Sequence, residues 1–127
     1  FLFSAIVAAF VTGIYITKQK ERIKMQITKN NFENEVLKHK GIVLVDFYAD
    51  WCGPCMMLKQ ELASIEKSNN DIKICKINTD EEAELAIKFG VMSIPAVYIY
   101  KDGEVVDNFI GFRPAKEIEE IIKKHRG

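Results

Sequence analysis

The sequence predicts an α/β domain built on one mixed β-sheet with helices on both faces, and three observations carry that reading. Strand-like and helical apolar periods alternate along most of the chain. Residues 42–48 (IVLVDFY) are β-branched and almost wholly apolar, as expected of a central strand covered on both faces. Asp102-Gly103 lies between two further strand-like runs, the strongest short-range hairpin signal. Strands separated by helices imply right-handed parallel crossovers, and the hairpin adds antiparallel strands at the other end of the sheet. With 127 residues, 48% of them apolar, the chain can bury one core but not two.

The elements follow in order. Residues 1–16 are uncharged and broken only by Ser4, Thr12 and Gly13, and Lys18, Lys20, Arg22 and Lys24 follow. A bilayer-spanning helix needs about 20 apolar residues, so residues 1–24 read as a truncated membrane anchor, with an unprocessed signal or a non-native leader as alternatives. Residues 25–127 form the second unit, the folded domain. A weak first strand is expected near residues 23–27. Thr28 and the asparagines after it offer caps for a short helix whose apolar set is Phe32, Val36 and Leu37. Beyond strand 42–48, Leu58, Leu62 and Ile65 recur at helical spacing, and Ser68 to Asp71 end that helix. Residues 72–77 give a second strand. Asn78, Thr79 and Asp80 are expected to cap a third helix, with Ala83, Ala86 and Ile87 on one face and Gly90 as its stop. Residues 96–100 and 105–110 form the hairpin, and Pro114 opens a last helix with the stripe Ile118, Ile121 and Ile122.

Eighteen basic and eighteen acidic groups cancel, and with the basic flank of residues 1–24 set aside the remainder is mildly acidic. Such a domain has no electrostatic pull toward nucleic acid. Three cysteines are too few for a disulfide scaffold.

Trp51-Cys52-Gly53-Pro54-Cys55 carries the chemistry. Two thiols three residues apart at a strand-to-helix turn can close a disulfide with little backbone movement. A helix starting near Cys52 aims free N–H groups at its sulfur and favours the thiolate. Cys52 is thus the expected nucleophile, which forms a mixed disulfide with a substrate disulfide, and Cys55 the resolving thiol. Two other readings are weaker. Structural zinc wants four ligands, yet only Cys75, His39 and His125 remain, none at finger spacing. A purely structural disulfide would close too small a loop to constrain the unfolded chain much. No metal or cofactor is expected beyond the redox-active Cys52–Cys55 disulfide.

VDFYADWCGPC, followed by KIN-D, GVMSIPA, the KDGE hairpin and Gly111, resembles the thioredoxin family over about residues 23–124. The resemblance implies the thioredoxin fold and a protein-disulfide reductase working by dithiol–disulfide exchange. Asp46 shares its alternation phase with Ile42 and Leu44 and so points inward with a raised pKa; the resemblance gives it proton transfer at the resolving cysteine, with Lys76 as its partner. Pro95 matches the family's cis-proline and faces the cysteines, with Ile94 before it. Trp51, Gly53, Pro54, Ile94, Pro95 and Gly111 form the expected substrate-facing set, Gly111 also serving backbone geometry. The chain departs from the family at Gln60, where a helix-kinking proline is usual. Cys75 reads as a small buried hydrophobe, and His39 and His125 receive no chemistry.

The implied partners are protein disulfides and a recharging thioredoxin reductase or membrane electron donor, with the chain acting as a monomer. Basic residues flanking the apolar run favour a cytoplasmic location, tethered through residues 1–16. A membrane-tethered extracytoplasmic oxidoreductase for disulfide or cytochrome maturation is the alternative. Gly-Pro between the cysteines resembles the reducing thioredoxins rather than the oxidant and isomerase families, and that resemblance favours the reductase.

Overall fold

The computed structural model describes residues 25–127. The apolar run, its basic flank and the start of the expected first strand lie outside the described residues. A four-stranded sheet has the order β2-β1-β3-β4, with β1 (Ile42–Tyr48), β2 (Ile72–Asn78), β3 (Ala96–Lys101) and β4 (Glu104–Ile110). β1 runs parallel to β2 and antiparallel to β3, and β3 pairs antiparallel with β4. The helical elements are a one-turn π-helix, α1 (Glu33–Leu37), then α2 (Gly53–Ser68), α3 (Ala83–Lys88) and α4 (Ala115–His125).

The period-2 pattern of the strands divides the core into two layers. Ile42, Leu44, Ile72, Ile74, Val97 and Ile99 face one way and pack against Leu58, Leu62 and Ile65 of α2 and Ile118 and Ile122 of α4. Val43, Val45, Phe47, Cys75 and Ile77 face the other way, under Val36 of α1 and Leu85 of α3. Each fully buried Leu or Ile contributes about 2 kcal/mol of transfer free energy, so both layers are needed to hold the sheet. α2 carries Pro54 in its first turn, where the missing N–H is harmless, and ends where the Asn69 amide donates to the Ile65 carbonyl (2.8 Å). It continues unbroken through Gln60.

Four expectations need correction. Of the expected first strand, the described residues 25–27 form only an isolated parallel bridge, Gln26 to Lys76, and not a full strand of the sheet. α1 is π-helical, with the Lys38 N–H bonded to the Glu33 carbonyl (2.9 Å), so the i, i+4, i+5 face is lost: Val36 is buried but Leu37 is exposed. Asn78 accepts from the Asp80 and Glu81 amides in a turn ahead of α3 and does not cap it. In α3 the buried pair is Leu85 and Ala86, while Ala83 and Ile87 face solvent, because six residues give under two turns and the sheet covers a single narrow stripe.

The hairpin turn bears out the Asp-Gly signal: Asp102 and Gly103 both have positive φ (51° and 86°), and Asp102 ties back to Gly41 through both backbone and side chain. A Cβ at Gly103 would run into the Leu37 backbone carbonyl. Gly103→Ala is therefore expected to cost about 2–4 kcal/mol, combining left-handed strain with displacement of α1. Urea denaturation measures it, and an unchanged midpoint would mean that the turn yields freely.

Candidate active site

The site forms where β1 hands over to α2. Cys52 is the N-cap of α2, in extended conformation (φ −89°, ψ 110°), and its Sγ accepts the Cys55 backbone N–H at 3.2 Å. The two cysteines are joined as a disulfide with a Cα–Cα distance of 5.2 Å. Pro54 has no N–H, which leaves the Cys55 amide as the first-turn donor aimed at Cys52. Both cysteines are buried, in a small cluster with Ala49, Tyr48, Met56 and Ile94. A Cβ at Gly53 would meet nothing within 4 Å, so the surface next to the disulfide is open there.

The loop before β3 closes the other side. The Ile94–Pro95 bond is cis, and the Ile94 carbonyl oxygen lies 3.9 Å from Cys52 Sγ. Gly111, at φ 88°, donates its N–H to the Pro95 carbonyl (2.8 Å), which joins the end of β4 to this loop. Cys52, Ile94, Pro95 and Gly111 are thus linked, although the chain separates them by up to 59 positions. Trp51 is 73% exposed, and its indole N–H donates to Asp80 (2.9 Å). This is the surface platform expected of it.

Asp46 lies on the sheet face that α2 covers, fully buried, and among the described residues neither carboxyl oxygen has a hydrogen-bond partner. Burial pushes its pKa up to about 6, against the opposing pull of the Lys76 ammonium. Lys76 is its register partner on β2; Nζ stands 3.9 Å from the carboxylate and 5.2 Å from the centre of the Tyr48 ring. Cys75 points into the opposite layer, where burial pushes its thiol up to about 12. It is an inert core side chain. The described residues contain no group of three or more His, Cys, Asp or Glu arranged to hold a metal.

Sequence reasoning missed three contributors. Asp80 anchors Trp51, and the KIN-D motif contained that signal without revealing the contact. Tyr48 shields Lys76 and pairs with Gln26. Met92, two residues before Ile94, is 94% exposed and adds apolar surface beside the site. His125 takes part in a contact 3.0 Å from Asp107, which ties α4 to β4.

The thioredoxin family profile matches residues 23–124. Similar proteins include the thioredoxin of Listeria monocytogenes, 46% identical over 101 residues, which spans 79% of this chain and 96% of that one. The thioredoxin of Bacillus subtilis is 43% identical over 102 residues (80% and 96%), and that of Porphyra purpurea is 42% identical over 101 residues (79% and 94%). A disulfide at the N-terminus of a helix, set against a cis-proline loop on a mixed four-stranded sheet, agrees with those matches: the chain belongs to the thioredoxin family and is a thiol–disulfide oxidoreductase.

Proposed function

We propose that Cys52 is the attacking thiolate and Cys55 the resolving thiol of a protein-disulfide reductase. The observation that carries this is the asymmetry of the pair: Cys52 Sγ sits at the helix N-cap and accepts an amide N–H, while Cys55 is one turn inside. In the reduced protein that N–H and the helix dipole stabilise negative charge on Cys52. The Cys52 thiolate attacks one sulfur of a substrate disulfide; that S–S bond breaks, and the departing sulfur takes a proton. Cys55 gives up its proton and attacks Cys52 Sγ, the mixed disulfide breaks, and the second substrate thiol leaves. The substrate gains two electrons and two protons, and the enzyme keeps the Cys52–Cys55 disulfide.

Asp46, with its pKa near neutrality, accepts the Cys55 proton, and Lys76 limits how far that pKa rises. Trp51, Gly53, Pro54 and Gly111 border the open ground around the disulfide, and the backbone at Ile94, just before Pro95, offers an extended substrate a pairing edge beside Cys52. Among the described residues no helix is long and apolar enough to cross a membrane. The basic flank of residues 18–24 favours a cytoplasmic workplace, with residues 1–16 as a tether.

A thioredoxin reductase with NADPH is the expected electron source. Catalytic amounts of the chain should sustain NADPH oxidation on a disulfide protein such as insulin. Absence of NADPH consumption while chemically reduced protein still reduces insulin would assign the recharging to a membrane donor. Failure in both arms would remove the reductase reading.

A further inference from the structure

We infer that Met92 is a modification site, where a hydroperoxide oxidises the thioether to the sulfoxide while Cys52 and Cys55 are joined, and that the sulfoxide weakens the capture of protein disulfides. The second half rests on the reductase reading above; the first does not.

Bonding and burial rank the sulfurs of the chain. Those of Cys52 and Cys55 are tied to each other, and both residues are buried. Cys75 is buried in the opposite layer, and burial pushes its thiol up to about 12, so it offers no thiolate. Four methionines remain. Met25 is partly buried against the layer under α1 and α3, and Met56 against Cys52, Cys55 and Ala49. Met57, near the start of α2, is 56% exposed, and Met92 is 94% exposed. With no thiolate on offer, oxidation follows exposure, and Met92 is the sulfur that a peroxide meets first in the oxidised protein.

The backbone explains why Met92 stands outside and why its oxidation matters. The Val91 N–H bonds to the Ala86 carbonyl (2.9 Å) and the Val91 side chain packs into the layer of Phe47, while Ile94 packs against the redox cluster. Met92 and Ser93 bridge these two anchors, and both are left exposed. Two peptide steps of about 3.8 Å hold the Met92 Cα within about 8 Å of the Ile94 Cα. The Ile94 carbonyl oxygen lies 3.9 Å from Cys52 Sγ, so a substrate strand that pairs there passes within reach of the Met92 thioether. An unbranched thioether adapts to varied apolar neighbours, whereas a sulfoxide is polar and chiral and loses that contact. In the step itself a sulfur lone pair takes one oxygen of hydrogen peroxide, the O–O bond breaks, and the other oxygen leaves as water with both protons. Sulfur gives up two electrons and the peroxide gains them.

The test starts from the disulfide form of the full chain, treated with hydrogen peroxide and quenched with catalase. Peptide mass spectrometry should find the first added oxygen on Met92, ahead of Met57 and well ahead of Met25 and Met56. The chain is then reduced with dithiothreitol, freed of it, and mixed with insulin or with hydroxyethyl disulfide, and alkylation of its remaining thiols follows a single turnover. Peroxide treatment should slow the insulin reaction about fivefold, the loss of one thioether contact, and leave the hydroxyethyl disulfide reaction unchanged. Untreated Met92→Gln should show the same selective loss, and Met92→Leu should remove the response to peroxide. Methionine sulfoxide reductases for both epimers, supplied with dithiothreitol, should restore the insulin rate of the treated chain. Oxidation that begins at another methionine would overturn the modification site. An insulin rate that ignores the Met92 sulfoxide, or an equal fall on both disulfides, would overturn its effect on capture. An untreated chain that reduces neither disulfide would remove the reductase reading, while the order of oxidation would still be decided by mass.

Discussion

Cys52→Ser should lower protein-disulfide reductase turnover by a thousandfold or more, on the order of other losses of a covalent nucleophile, and Cys55→Ser should trap substrate on the enzyme. The two outcomes differ because the two sulfurs occupy different positions. Cys52 Sγ is at the N-cap, next to the open surface at Gly53 and 3.9 Å from the Ile94 carbonyl, where a substrate sulfur can be met. A serine hydroxyl there cannot open a disulfide. Cys55 is 1% exposed and faces inward, so its replacement spares the first attack and removes the second. Mixed disulfides should then accumulate, visible as adducts on non-reducing gels that vanish with dithiothreitol. Turnover retained in Cys52→Ser, or adducts on Cys52→Ser and none on Cys55→Ser, would exchange the roles of the two sulfurs.

Much of this was legible in the sequence because the signals are local or periodic. Residues 42–48 could only be a doubly covered strand, Asp102-Gly103 could only be a tight turn, and alternation from Ile42 through Leu44 carried Asp46 inward, where the structure buries it completely. What was not legible depends on tertiary choices. The side chains of α3 gave no cue that Ile87 would be left in solvent, since a six-residue helix has room for only one contact stripe and Leu85 took it. The π-helical winding of α1 is a backbone choice that no spacing of Phe32, Val36 and Leu37 announces. The Trp51–Asp80 bond crosses 29 positions, and a pair of polar atoms at that separation leaves no periodic trace. The motif residues Cys52, Cys55 and Pro95 come together because each sits at a backbone feature, the start of α2 or the cis Ile94–Pro95 bond, whereas contacts that only steady them came from the fold.

Asp46→Asn should stabilise the oxidised domain at pH 8 by about 1–3 kcal/mol, and the gain should fade in acid. The carboxyl group is buried without a hydrogen bond among the described residues, and its pKa is raised from 3.8 to about 6 by burial, Lys76 opposing. A carboxyl whose folded pKa exceeds its unfolded value binds its proton more tightly when folded. Its stabilising contribution is therefore complete below about pH 3.8 and is lost as pH rises through about 6. At one pKa unit per roughly 1.4 kcal/mol, the full loss by pH 8 is about 3 kcal/mol, and asparagine recovers part of it because its own amide stays poorly satisfied. Both proteins share every other titrating group, so the difference between them reports Asp46 together with its coupling to Lys76. Urea titrations at pH 4 and pH 8 measure it. Lys76→Met gives a directional check: without the ammonium that holds the pKa down, the loss of stability should move to higher pH. The same Asp46→Asn change should slow disulfide exchange about tenfold or more at neutral pH, because the Cys55 proton loses its acceptor. A stability gap of equal size at both pH values would show that Asp46 does not titrate in the folded interior, and its place in proton transfer would fall with it.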